Sequence, residues 1–105
     1  MPGFISFLTT PSGATKSLER LRITNAGRVG LGTSSPGSAL EINSAAATSP
    51  FIAKIDFAEA MRIKPSGIIN FSNAPSYADN TAAKAGGLVA GDIYRKADGT
   101  LMIAF

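Results

Sequence analysis

The chain has 105 residues and a formal net charge of +3, from ten Lys and Arg against seven Asp and Glu, and it contains neither Cys nor His. Disulfides and thiol chemistry are therefore excluded, together with the commonest general base and the commonest transition-metal ligand. The charges are dispersed, with no basic run longer than Arg95-Lys96, which argues against the basic stripe that nucleic-acid binding needs.

Apolar residues make up 45% of the chain, so it is not compositionally disordered. Much of that fraction is Ala, and the larger apolar side chains come in short bursts, at 4–8, 21–31, 51–71 and 101–105. Stretches of Gly, Ser, Thr, Ala, Asn and Pro separate them. A core this discontinuous is short for a chain of this size, and oligomerisation is the expected remedy. No apolar run approaches the roughly 20 residues of a membrane span, and no basic segment followed by an apolar stretch and a cleavage site marks a secretion leader.

In chain order, Phe4 to Leu8 reads as a short strand ended by Thr10-Pro11-Ser12-Gly13. Residues 21–31 (LRITNAGRVGL) then set out a template that returns at 61–71 (MRIKPSGIINF) and at 93–103 (IYRKADGTLMI). An apolar residue opens each copy, a glycine stands six positions later, and apolar residues follow the glycine at +2 and +4. This is a β-hairpin in sequence form. Val29 and Leu31, Ile69 and Phe71, and Leu101, Ile103 and Phe105 alternate with the period that turns one face inward. The links ending in Gly27, Gly67 and Gly99 are turns whose glycine accepts positive φ.

The stretch Gly32 to Gly37 (GTSSPG) is a loop. Leu40-Glu41-Ile42 is a strand, and Phe51 to Phe57, opened by Pro50, is either a strand or a buried helix. Residues 76–87 depart from the β pattern. Ser76 and Asp79 have capping-box spacing, Ala78, Ala82, Ala83 and Ala85 favour helix, and Gly86-Gly87 supply a stop. The expectation is a short helix near 77–85 of about two turns. Its alanine face suits either close approach to another backbone around a symmetry axis or closure of a loop against its own sheet.

No catalytic motif survives scrutiny. Gly27 to Gly32 has the spacing of a P-loop, but Thr33 stands where the phosphate-neutralising Lys must be. A dinucleotide fingerprint from Gly30 would need glycine or alanine where Ser35 stands. Asp56 and Glu59 would converge on a helix, yet no Trp and few aromatics furnish a sugar cleft. No strand-turn-helix elbow frames a serine. The expectation is a non-enzymatic protein with no catalytic, cofactor-binding or metal-binding residues and no cofactor.

The stretch from Glu19 to Pro36 (ERLRITNAGRVGLGTSSP) resembles a segment common in bacteriophage tail fibres and related virion proteins, where it often precedes a self-cleaving chaperone domain. The stretch from Tyr77 to Arg95 (YADNTAAKAGGLVAGDIYR), continuing to Phe105, resembles the terminal module of many phage structural proteins. The resemblance implies a mainly β chain, its short hairpins intertwined in a parallel homotrimeric fibre of β-prism or triple β-helix type. No chaperone domain follows Pro36 and no long domain precedes Phe4, so autonomous folding is expected, with an anchor that is either short or outside this sequence.

Combined with the hairpin pattern, this assigns residues 1–17 to attachment, 18–75 to a β-shaft and 76–105 to a C-terminal helix-hairpin trimer module. Leu21, Ile23, Val29 and Leu31 are trimer-core candidates, followed by Ile69, Phe71, Leu101, Ile103 and Phe105. Phe4, Ile5, Phe7 and Leu8 are virion-attachment candidates, and Tyr77, Asn80 and Tyr94 are receptor-contact candidates. The expected function is that of a virion structural protein, a short trimeric tail fibre or spike involved in host attachment. The alternative is a purely structural head fibre, baseplate or trimerisation clamp, and a third option is a small enzyme acting on surface polysaccharide. Expected partners are further copies of the chain, other virion proteins of baseplate, tail or capsid, and a bacterial surface glycan or protein. Neither nucleic acid nor membrane insertion is expected, and the place of action is the virion, assembled in the host cytoplasm.

Overall fold

The computed structural model describes residues 3–105. In chain order the described residues form β1 (Ile5–Thr9), β2 (Leu18–Ile23), β3 (Val29–Leu31), β4 (Leu40–Ile42), β5 (Phe51–Ile55), β6 (Ala58–Ile63), β7 (Ile69–Asn70), α1 (Asn80–Ala85), β8 (Ile93–Arg95) and β9 (Leu101–Ile103). The fold is mainly β, built of short hairpins with one short helix. Hydrogen bonding groups the strands into three sheets, β1-β2-β3-β4, β5-β6-β7 and β8-β9. The chain divides into two compact units, Met1–Ile52 with Ile63–Ile69 and Ala53–Arg62 with Asn70–Phe105, so β5 to β7 contribute segments to both.

The three sequence templates fold into the same turn. Gly27 N–H donates to the Thr24 carbonyl at 2.9 Å, and Thr24 N–H donates to the Arg28 carbonyl at 2.9 Å. Lys64, Gly67 and Ile68 repeat that pair of bonds, and so do Lys96, Gly99 and Thr100. Gly27, Gly67 and Gly99 have φ of +79°, +82° and +88°. A type I turn closed by a left-handed glycine is the three-residue hairpin link whose twist suits the flanking strands. In the third turn Thr100 N–H also donates to the Asp98 carboxylate at 2.9 Å, which holds that carboxyl below its usual range.

In the first sheet β1 pairs antiparallel with β2, Ile5 opposite Ile23, Ser6 opposite Arg22 and Phe7 opposite Leu21. The register then slips, so that Leu8 faces Glu19 and Thr9 faces Leu18, leaving Arg20 as the extra residue of a bulge. Its Nε donates to Thr9 Oγ1 at 2.7 Å. β3 continues the antiparallel order, but β4 runs parallel to β3, with Val29 opposite Leu40 and Leu31 opposite Ile42.

The hairpin pattern does not foresee that parallel pair, because parallel neighbours ordinarily need a crossover of a dozen or more residues. Here each strand is only three residues long, so the loop has only about 10 Å to return. Val29 N–H donates to the Ala39 carbonyl and Asn43 N–H to the Leu31 carbonyl, each at 2.8 Å, tying both ends of β4 to β3. Gly30 and Gly32 make room for it: a Cβ on Gly30 would collide with the Thr33 carbonyl and one on Gly32 with the Asn43 carbonyl. These two glycines thus serve close backbone approach.

Phe51–Ile55 is a strand, which settles the alternative left open by its sequence. It turns into β6 through Asp56 and Phe57, both left-handed at φ +47° and +61°. A two-residue link with positive φ at both positions favours Asn-Gly or Asp-Gly. Phe57 stands where glycine is preferred, and its side chain is 93% exposed.

The C-terminal residues carry the buried core of the described chain: Ala83, Tyr94 and Ala104, with Tyr77, Leu88 and Met102 packed against them. The helix is shorter than residues 76–87 suggest. Asp79 rather than Ser76 caps it, its carboxylate accepting from Ala82 N–H at 2.8 Å, while Ser76 bridges to Arg95. Leu88 N–H reaches the Ala83 carbonyl and Gly87 N–H the Lys84 carbonyl, the double bond of a Schellman stop with Gly87 left-handed at φ +100°. Ala83 faces Tyr94 and Ala104, so the alanine stripe closes on its own hairpin.

Two predictions follow from the turns. Gly27→Val and Gly67→Val should each lose about 1–3 kcal/mol, the cost of a strained non-glycine backbone, read as a drop in melting temperature. Phe57→Gly should gain stability instead, by about 1 kcal/mol, because relief of the left-handed penalty exceeds the entropy that glycine adds to the unfolded chain. An unchanged or lower melting temperature for Phe57→Gly would contradict that reading.

Candidate interaction surface

Cross-strand partners in a sheet present their side chains on the same face. In the first sheet one row therefore reads Ile5, Ile23, Val29, Leu40, and the next reads Phe7, Leu21, Leu31, Ile42. Every member of both rows is apolar. The intervening row, on the opposite face, reads Ser6, Arg22, Gly30, Glu41. Such one-sided patterning belongs to a sheet that covers one face and wets the other. Yet Ile5 and Phe7 are 57% and 60% exposed, and Leu40 is 56% exposed.

The polar face is organised by charge. Arg22 grips Glu19 with a two-pronged ion pair, Nε to Oε1 at 2.6 Å and Nη2 to Oε2 at 2.7 Å. Its guanidinium also lies 4.0 Å from the centroid of the Phe4 ring. The bulge makes the pair possible, since slipping the register past Arg20 turns Glu19 to the face that carries Arg22. The same device recurs 40 residues on, where Arg62 Nη2 meets Glu59 Oε2 at 2.7 Å. Hydrogen bonding to the glutamate raises the pKa of each arginine above its ordinary value. Both pairs are partly solvated, so each contributes little to stability.

The C-terminal hairpin has two unlike faces. Tyr94 sits opposite Met102, and Tyr94 together with Ala104 points into the core. Ile93 sits opposite Ile103 and Arg95 opposite Leu101 on the outer face, where Leu101, Ile103 and Phe105 are all exposed. The chain end is pinned all the same. Asn80 Nδ2 donates to the Phe105 carbonyl and its Oδ1 accepts from Phe105 N–H, both at 2.9 Å.

Among the trimer-core candidates, Leu21, Ile23, Val29 and Leu31 lie together on the apolar face of the first sheet, with Ile5 and Phe7 beside them. Ile69 is exposed and Phe71 half-buried near the end of β7. Of the remaining attachment candidates, Phe4 lies against Arg22 and Leu8 opposite Glu19, on the polar face. Of the receptor-contact candidates, Tyr94 needs correction. Tyr94 is fully buried, enclosed by the helix and its own hairpin. Tyr77 stacks edge-on against it at 6.2 Å, and Asn80 spends its amide on the chain end.

Sequence reasoning missed Leu40 and Ile42 as members of the apolar face, because their parallel partner could not be foreseen. It also missed the Glu19–Arg22 and Glu59–Arg62 pairs, although the shared spacing E-x-x-R-I before each turn glycine was there to read. No group of three or more Asp and Glu suited to a metal occurs among the described residues. No helix of the described residues is long and apolar enough to cross a membrane. No protein-family model, curated protein or solved structure matches the chain.

Tyr94 yields a test of the module. Its hydroxyl is buried without a hydrogen-bond partner among the described residues, a costly state for a polar atom. Tyr94→Phe should therefore be as stable as the parent or more so. Tyr94→Ala should lose about 3–5 kcal/mol, as a large core aromatic does. Thermal melting decides, and a marked loss with Phe would show that the hydroxyl is satisfied.

Proposed function

We propose that the chain is a structural fibre component of a bacteriophage virion and that it works as a homotrimer. The observation that carries this reading is the mismatch between core and surface. Among the described residues, Ala83, Tyr94 and Ala104 are the buried apolar core, while seventeen large apolar side chains are exposed. Soluble monomers rarely expose contiguous apolar patches of this kind without a partner to cover them. The resemblance of 19–36 and 77–105 to phage fibre segments supplies the biological setting. In this reading residues 18–75 contribute the shaft and 76–105 a terminal module.

Of the two roles open to such a fibre, the structural one has the better support. Receptor contact was expected of Tyr77, Asn80 and Tyr94, but Tyr94 is enclosed in the C-terminal core, Tyr77 packs against it and the Asn80 amide holds Phe105. No catalytic constellation among the described residues favours the polysaccharide-degrading option.

Light scattering coupled to size exclusion should give a mass three times that of the 10.8 kDa chain. A stable monomer at micromolar concentration would sink the oligomeric reading. Labelling of intact particles with an antibody against the chain should mark a fibre, spike or baseplate position, and unlabelled particles would sink the virion reading.

A further inference from the structure

We infer that the apolar face of the first sheet is the seat of a second copy of this chain, with Ile5 and Phe7 part of that copy-to-copy interface rather than an anchor on another protein. The inference rests on the homo-oligomeric half of the reading above and is independent of the virion half.

The geometry requires a cover. Two adjacent rows, Ile5 to Leu40 and Phe7 to Ile42, run across four strands without a polar side chain. A sheet patterned this way is one layer of a two-layer structure. Its outermost residues Ile5, Phe7 and Leu40 remain more than half exposed. The chain leaves 7554 Å² accessible, whereas two self-contained bodies of the sizes of its two units leave about 6,700 Å² together. The excess of roughly 900 Å² per chain is on the scale that a standard interface takes from each partner.

The chemistry of the face selects the occupant. Its two rows carry no charge and so present nothing that repels their own image, and identical apolar patches are what symmetric assembly brings together; the one cation beside them, Arg20, is held by Thr9 at the end of the sheet. Arg22 and Glu41 lie on the opposite face, and Arg22 is already matched by Glu19 in the same chain. A partner recognised by charge would find no complement here. Ile5 and Phe7 stand in register with Ile23 and Leu21, so the N-terminal apolar cluster is divided by alternation, and only Phe4 and Leu8 face the other way.

The chain lacks cysteine, so single cysteines report proximity between copies without background. Ile5→Cys and Leu40→Cys, each oxidised or treated with a short bismaleimide, should convert most of the chain to covalently joined copies. Leu8→Cys, on the polar face, should stay single under the same treatment. In parallel, Phe7→Glu should shift the mass in solution towards monomer, while Leu8→Glu leaves it unchanged. Cross-linking of full-length protein keeps the test valid even if Phe7→Glu does not fold. Equal cross-linking from both faces would overturn the inference. So would monomeric protein whose cysteines at 5 and 40 react with free maleimide yet never join, which would leave the face to a different protein or to a lipid surface. Efficient joining through 5 and 40 in a chain absent from particles would refute the virion reading alone.

Discussion

A short β-sheet that is apolar on one side and polar on the other has to place something over the apolar side, and most of this molecule's organisation depends on that requirement. The first sheet builds such a face from four strands, and its edge members Ile5, Phe7 and Leu40 remain more than half exposed. Fully burying a side chain such as Leu, Ile or Phe contributes about 1.5–3 kcal/mol. Left wet across a whole face, those contributions are a large fraction of the stability that a domain possesses. The sparse packing is thus a property of the chain taken singly, and the proposed association would supply the missing cover.

The C-terminal module solves the same problem on a smaller scale. One tyrosine ring, Tyr94, is enclosed by an alanine from the helix, an alanine near the chain end and the edge of Tyr77. Small residues are needed at that site: a Cβ on Gly86 would collide with the Tyr77 ring. The module therefore has a core of its own, while Leu101, Ile103 and Phe105 look outward. Alternation along β9 divides the strand between inward Met102 and Ala104 and an outer apolar face. That outer face is a second candidate for contact between chains.

Much of this was legible in the sequence. The three hairpins could be read because their turns have a local cause, a glycine required by positive φ at a fixed distance from alternating apolar residues. The helix was legible from its alanines and its double-glycine stop, although its cap was displaced from Ser76 to Asp79, because the bridge to Arg95 holds Ser76 in extended backbone. What escaped was non-local. The parallel seat of β4 depends on close backbone approach at Gly30 and Gly32, and the bulge at Arg20 depends on β1 pairing across an intervening loop. The burial of Tyr94 depends on three segments meeting. A period of two shows that a strand has two faces without showing what covers each.

Because the account makes the folded state depend on association, the most direct measurement is the melting temperature of the unmodified chain as a function of protein concentration. Linkage of folding to assembly predicts that the temperature rises steadily with concentration, with loss of oligomer and loss of β structure coinciding. A melting temperature independent of concentration, in a chain of monomeric mass that retains its β structure, would contradict the account.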